Sequence, residues 1–146
     1  MGVALTSCSV PAAGKPNFEI ADDEMEFGVG IHGEPGRRRD KIKSAQEITN
    51  ELLDAINEDL KPDNNEEILL FVNGMGGTPL TELYLIFDNA KNILDKKNIK
   101  ISRSLVGNYC TSLEMQGASI TLTKLDQELV KHWDSSVLTA AMRWGV

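Results

Sequence analysis

The chain is 146 residues long and carries 15 Lys and Arg against 22 Asp and Glu, a formal net charge of −7. That length suits one domain with its own core, and 41% hydrophobic with 25% charged residues excludes an intrinsically disordered chain. The acidic balance, with an isoelectric point near 4.8, argues against nucleic-acid or anionic-membrane partners. Apolar runs no longer than Ile68 to Val72 predict no membrane-spanning helix.

In chain order, residues 1–10 are small and β-branched and predict a strand ending at Pro11, followed by a turn-rich connector from Pro11 to Pro16. Met25 to Ile31 alternates and predicts a strand that delivers its end to His32. Gly33 to Gly36 reads as a sharp turn, and Arg37 to Asp40 as an exposed loop. Ser44 with Glu47 forms a capping-box signature. Ala45, Ile48, Leu52, Ile56 and Leu60 then share one helical face. Lys61 to Asn65 stops that helix.

Glu67 to Val72 predicts a buried central strand, running into a glycine loop from Asn73 to Gly77. Thr78 is expected to cap the next helix, with Pro79 at its first position. Leu80, Leu83, Tyr84, Phe87, Ala90 and Leu94 are its expected buried stripe, and Lys96 and Lys97 suit its C-terminus. Ile99 to Tyr109 reads as strand. Ala118, Ile120 and Leu122 alternate with Ser119, Thr121 and Thr123, predicting a half-exposed strand, with 110–117 as the loop between these two. Gln127 to Trp133 is a short helix or turn. The order predicts an α/β (α+β) two-layer sandwich with a mixed sheet of about five strands and two long amphipathic helices. Parallel neighbours are expected at the helical crossovers, and antiparallel ones at the late hairpin.

The two cysteines, Cys8 and Cys110, lack metal-ligand spacing and read as reduced thiols of a cytoplasmic protein. Gly28 to Gly33 fits G-x-G-x-x-G, but Pro35 and Gly36 prevent the helix that a dinucleotide fingerprint requires. Its glycines fit strand packing or the close approach of another group. The Gly74 to Thr78 loop joins a strand to a helix and has two open readings, an anion-holding helix N-terminus and a tight turn. It lacks the Walker ending.

His32 is expected at a strand end with Gly33 beside it, leaving room for a small molecule, and Glu34, close in sequence, is a candidate to orient or tune the imidazole. His132, beside Trp133, reads as ordinary surface. No triad or metal site follows from the spacing.

Five segments carry a resemblance: VPAAGKP at 10–16, EFGVGIHGEPG at 26–36, NGMGGTPLTELY at 73–84, GNYCTSLEM at 107–115 and WG at 144–145. Together they resemble the substrate-binding (K) subunit of dihydroxyacetone kinase, along essentially the whole chain. The resemblance implies that His32 forms a covalent hemiaminal with the carbonyl carbon of dihydroxyacetone. Gly33, Glu34, Gly76 and Gly77 are candidates for the pocket around it. Covalent capture selects a ketone over glycerol, which has the same hydroxyls and no electrophilic carbon.

Measured against that family, the chain corresponds to the C-terminal domain (1–146), with the N-terminal half of the subunit absent. The family's general-base aspartate and its second substrate-contacting histidine belong to that half and have no counterpart here. The 146 residues alone are therefore expected not to phosphorylate. No cofactor is expected on this chain. ADP or ATP with Mg²⁺ is expected on a partner L subunit or domain, and a K-subunit homodimer is implied. The absence of an appended nucleotide-binding domain points to the phosphotransferase-system type, in which a phosphocarrier subunit recharges L. A second reading is a dihydroxyacetone-binding transcriptional co-activator paralogue without kinase activity. A third is a domain that retains no ligand affinity.

Overall fold

A computed structural model describes residues 1–31 and 34–145. The strands β1 (Gly2–Ala4), β2 (Ser9–Val10), β3 (Lys15–Pro16), β4 (Glu24–Phe27) and β5 (Arg38–Lys41) precede α1 (Ala45–Leu60). There follow β6 (Glu67–Gly74), α2 (Leu80–Lys96), β7 (Lys100–Gly107), β8 (Gly117–Lys124), α3 (Gln127–Trp133), β9 (Val137–Leu138) and β10 (Arg143–Trp144). Six strands form one mixed sheet in the order β5-β4-β1-β8-β6-β7, with β2-β3 and β9-β10 as separate small hairpins. This is the expected α/β sandwich with one strand more than the five anticipated.

The extra strand is β5. Its residues, read from sequence as an exposed loop, pair antiparallel with β4 from Glu24↔Lys41 to Phe27↔Arg38. Charge density hid it, and on an edge strand that charge is the device that blocks pairing with other chains. Its basic groups are matched: Arg39 meets Glu26 at 2.9 Å, Lys41 meets Asp23 at 2.7 Å, and Arg38 pairs with Asp40 and Glu51. The Arg38 guanidinium also lies 4.5 Å from the centroid of the buried Phe27 ring.

β6 is central as expected, parallel to β7 through the α2 crossover and antiparallel to β8. The anticipated late hairpin does not form. β8 crosses past β6 and inserts between β6 and β1. Ile68, Leu70 and Val72 of β6, Ile120 and Leu122 of β8, Val3 of β1 and Phe27 of β4 point to one side. There they meet Ile48, Leu52 and Leu53 of α1 and Leu83, Ile86, Ala90 and Leu94 of α2. On the opposite face Phe71 is half-buried and meets Tyr109 edge-on at 5.9 Å.

The α1 signals are realised in full. The Ser44 hydroxyl accepts from the Glu47 N–H, and the Glu47 carboxylate accepts from the Ser44 N–H and hydroxyl. The α2 start differs from expectation: Pro79 is the N-cap, and the Thr78 hydroxyl is engaged elsewhere. The buried stripe of α2 is Leu83, Ile86, Ala90 and Leu94, whereas Leu80 and Tyr84 are exposed. Each helical residue advances about 100°, so Tyr84 falls on the flank and Ile86 returns to the sheet.

Replacing Ser44 by Ala should lower the unfolding free energy by about 1 kcal/mol in urea denaturation. The Glu47 carboxyl is held below its ordinary value by the Ser44 hydroxyl and then the Ser44 amide. A depressed carboxyl stabilises above its unfolded pKa and stops doing so as pH falls through its folded one. The stability gap between the wild type and Glu47→Ala should therefore narrow below about pH 4.

Candidate functional site

The expected strand from Met25 to Ile31 ends at Phe27. Gly28, at φ +79°, turns the chain out of the sheet, a conformation that a Cβ disfavours. The Gly28 amide still donates to the Gly2 carbonyl at 2.7 Å, and the Arg37 amide closes back on Phe27 at 2.6 Å. The described residues 28–31 and 34–36 thus lie between two paired strands, outside the sheet. There the Gly30 amide donates to the Glu34 carbonyl at 3.2 Å. Val29 is buried with Ala4, Cys8, Met75 and Met115 in a second small core. The Glu34 side chain lies against the Cα of Gly30. His32 and Gly33, the central sequence candidates, lie outside the described residues.

A second chain segment comes to the same core from β7. Asn73, 2% exposed, holds the start of the 108–116 connection. Its Oδ1 accepts from the Tyr109 and Cys110 amides at 3.0 and 2.8 Å, and its Nδ2 donates to the Cys110 carbonyl at 2.8 Å. The far end is fixed by the buried Thr78, whose hydroxyl donates to the Gly117 carbonyl and accepts from the Gly117 amide, both at 2.8 Å. Between these anchors the Ser112 amide donates to the Met75 carbonyl at 2.7 Å and the Gly77 amide to the Met115 carbonyl at 2.9 Å.

Gly76 and Gly77 therefore lie directly beneath residues 113–115. A Cβ at Gly76, which has φ +120°, would overlap the Leu113 carbonyl oxygen. Leu113 itself holds a left-handed φ of +55° and is half-exposed.

With Cys8, Val10 and Asn17 of the N-terminal segment, Ile31 and residues Thr111, Ser112 and Leu113 line an open cavity of about 300 Å³. Its wall is ordered by polar contacts. The Cys8 Sγ lies 3.3 Å from the Ser112 Oγ, Asn17 Oδ1 accepts from the Cys8 amide at 3.1 Å, and Glu114 accepts from the Ser9 amide at 2.7 Å. The Glu114 carboxyl is held below its ordinary value by backbone hydrogen bonds from its own amide and from Ser9. Such a space, with hydroxyl and amide groups on an apolar floor, suits a small polyhydroxylated molecule.

Sequence reasoning did not single out Asn17, Thr111 or Ser112. Thr111 and Ser112 stand inside the 107–115 motif, but only the fold brings them to Ile31. Among the described residues no group of three or more His, Cys, Asp or Glu could hold a metal ion. Cys8 is a buried free thiol and Cys110 an exposed one. His132 is exposed, 3.7 Å from Glu128 on α3. Among the described residues no helix is long and apolar enough to cross a membrane.

Residues 1–141 match the family described as Dak1 domain. The chain is similar to the dihydroxyacetone-binding subunit DhaK of the PEP-dependent dihydroxyacetone kinase of Escherichia coli. The two are 39% identical over 99% of this chain and 48% of the relative. The corresponding subunit of the PTS-dependent kinase of Lactococcus lactis is 41% identical over 99% of this chain and 43% of its own length. A solved structure described as the dihydroxyacetone kinase operon co-activator Dha-DhaQ superposes with a TM-score of 0.85. It has 33% identity, and the match spans 92% of this chain and 42% of that one. The chain thus spans about half the length of these relatives.

Replacing Asn73 by Leu leaves the Tyr109 and Cys110 amides without their acceptor. It should cost about 2–4 kcal/mol of stability and speed limited proteolysis within 108–116 selectively.

Proposed function

The chain belongs to the Dak1 domain family, and on that premise we propose that it is the C-terminal domain of a dihydroxyacetone kinase K subunit. In this reading His32 holds dihydroxyacetone covalently for phosphoryl transfer. The single observation that carries it is the convergence of the segment after β4 and the 107–115 segment, remote in sequence, on one small cavity with Ile31, Thr111 and Ser112 in its wall.

The chemistry is an addition with no leaving group. The unprotonated imidazole nitrogen gives its lone pair to the carbonyl carbon, and the carbonyl π pair moves to oxygen. That oxygen takes up the proton which the other ring nitrogen gives up. An imidazolium has no lone pair to offer, so capture requires neutral His32.

Glu34 is assigned as a positioning residue. The Gly30 amide donates to the Glu34 carbonyl and so ties the Glu34 backbone to Gly30. Gly33 remains a pocket candidate from its place in the motif, and Gly76 and Gly77 support the cavity wall through the overlying 113–115 segment. Phosphoryl transfer then falls to an L subunit that carries the nucleotide and Mg²⁺ and is recharged by a phosphocarrier, as in a phosphotransferase-system kinase. The subunit acts as a cytoplasmic homodimer, and the 146 residues alone bind without turning over.

The likeness to the Dha-DhaQ co-activator favours a second reading, a dihydroxyacetone-sensing co-activator that captures the ketone without phosphorylating it. Both readings require His32.

With carbonyl-labelled [¹³C]dihydroxyacetone, the 146-residue chain should convert the ketone carbon signal to that of a tetrahedral carbon bearing nitrogen and oxygen. His32→Ala should abolish the signal, and glycerol should bind at least tenfold more weakly. A labelled ketone left unperturbed at millimolar concentration would defeat both readings. Glu34→Gln should weaken capture several-fold without lowering the melting temperature. Dihydroxyacetone phosphate formed by the full-length protein with an L subunit selects the kinase. Capture without turnover selects the co-activator.

A further inference from the structure

His32 lies in the sequence between two limbs of chain that leave and rejoin the sheet. The outgoing limb, 28–31, begins at the left-handed Gly28. The returning limb, 34–37, ends where the Arg37 amide donates to the Phe27 carbonyl at 2.6 Å. The limbs are tied to each other by the Gly30 amide and the Glu34 carbonyl. A further tie comes from a side chain of the sheet itself: the Gly36 amide donates to Oε1 of Glu26 at 2.8 Å.

Strand alternation explains why Glu26 is there. Met25 and Phe27 of β4 are buried in the main core, so Glu26 points to the opposite face of the sheet. It stands in register with Arg39 of β5, and its second oxygen, Oε2, accepts from the Arg39 guanidinium at 2.9 Å. One carboxylate thus divides its oxygens between an edge strand and the returning limb. The Glu26 side chain is 14% exposed and that of Arg39 42%. Water can therefore replace the arginine far more readily than the Gly36 amide, whose bond to a charged acceptor is of the stronger kind. A Cβ at Gly36 would overlap the Glu26 Cγ and the Phe27 carbonyl oxygen. The returning limb lies flat on the Glu26 stem, an approach that requires glycine.

We propose that Glu26 is a positioning residue for ketone capture, its carboxylate fixing, through the Gly36 amide, the place where the limb that follows His32 rejoins β4. The inference rests on the reading of His32 as the capturing residue, and adds to it a residue of the sheet that acts through the backbone. The physical gain is in ordering. With Gly28 fixed to Gly2 at one end and Gly36 fixed to Glu26 at the other, the chain between them has less conformational freedom to lose when a ligand binds. Releasing one end returns that freedom and weakens capture. The imidazole must still be neutral, so the pH midpoint of capture stays where it was.

Three variants of the 146-residue chain test this. Glu26→Met keeps the stem and removes both acceptor oxygens, Glu26→Gln keeps one oxygen for the Gly36 amide, and Arg39→Thr removes only the ion pair. Glu26→Met should raise the dissociation constant for carbonyl-labelled dihydroxyacetone at least fivefold. It should also speed hydrogen exchange of the Gly30 amide at least tenfold, beyond any change at the amides of β6, which report global opening. Glu26→Gln should return both quantities to within twofold of the wild type, and Arg39→Thr should leave them there. Both Glu26 variants remove the charge, so the difference between them isolates the acceptor. Wild-type capture by Glu26→Met would overturn the proposal. Equal losses in Glu26→Gln and Glu26→Met would overturn it too, and equal losses in Arg39→Thr would place the effect in β5 pairing instead. A wild type that captures no ketone defeats the His32 reading itself, and the capture role of Glu26 falls with it.

Discussion

The insertion of β8 between β1 and β6 is the constraint on which the rest of the molecule depends. It joins the N-terminal strands to the βαβ unit, since β4 and β5 reach the central sheet only through β1, and β1 reaches β6 only through β8. The junction is set at Gly117, whose amide and carbonyl are both engaged by the Thr78 hydroxyl while its carbonyl also accepts from Met75. Thr78 was expected to cap α2. It instead fixes the strand that unites the domain, and Pro79, which has no N–H to satisfy, takes the cap position.

That insertion also builds the candidate site. Because β8 does not pair with β7, the connection between them has to cross the end of β6. Asn73 supplies the hydrogen bonds that hold it there. The crossing lays residues 111–115 over Gly76 and Gly77. The glycine loop, for which an anion site and a tight turn stood as alternatives, has its Gly77 amide committed to the Met115 carbonyl. The same crossing carries Thr111 and Ser112 to the cavity that Ile31 approaches from the other side. A connection pinned at both ends offers a small molecule a surface with little freedom to lose.

The charged face is organised by the same economy of edges. β5, the Arg-rich edge strand, has its basic groups matched by carboxylates of β4, α1 and its own residues. The arginine run is therefore part of the sheet's solvation and of its protection against pairing with other chains.

The sequence by itself determined α1 with its Ser44–Glu47 box, the central β6, the alternation of β8 and the short α3, all set by local periodicity and caps, whereas the cap of α2 and the end of β4 escaped it. It also determined the family, because the 26–36 string is long and contiguous. Three things were decided only in three dimensions. β5 was illegible because an edge strand needs no apolar face. The order of β8 and β7 was illegible because alternation states which face a strand shows and says nothing of its neighbour. The site wall was illegible because Ile31 and Thr111 are 80 residues apart in the sequence. They meet only after a left-handed Gly28 turns one segment out of the sheet and Asn73 holds the other across its end. Local chemistry writes the elements, but long-range hydrogen bonds between buried polar groups choose which of them become neighbours.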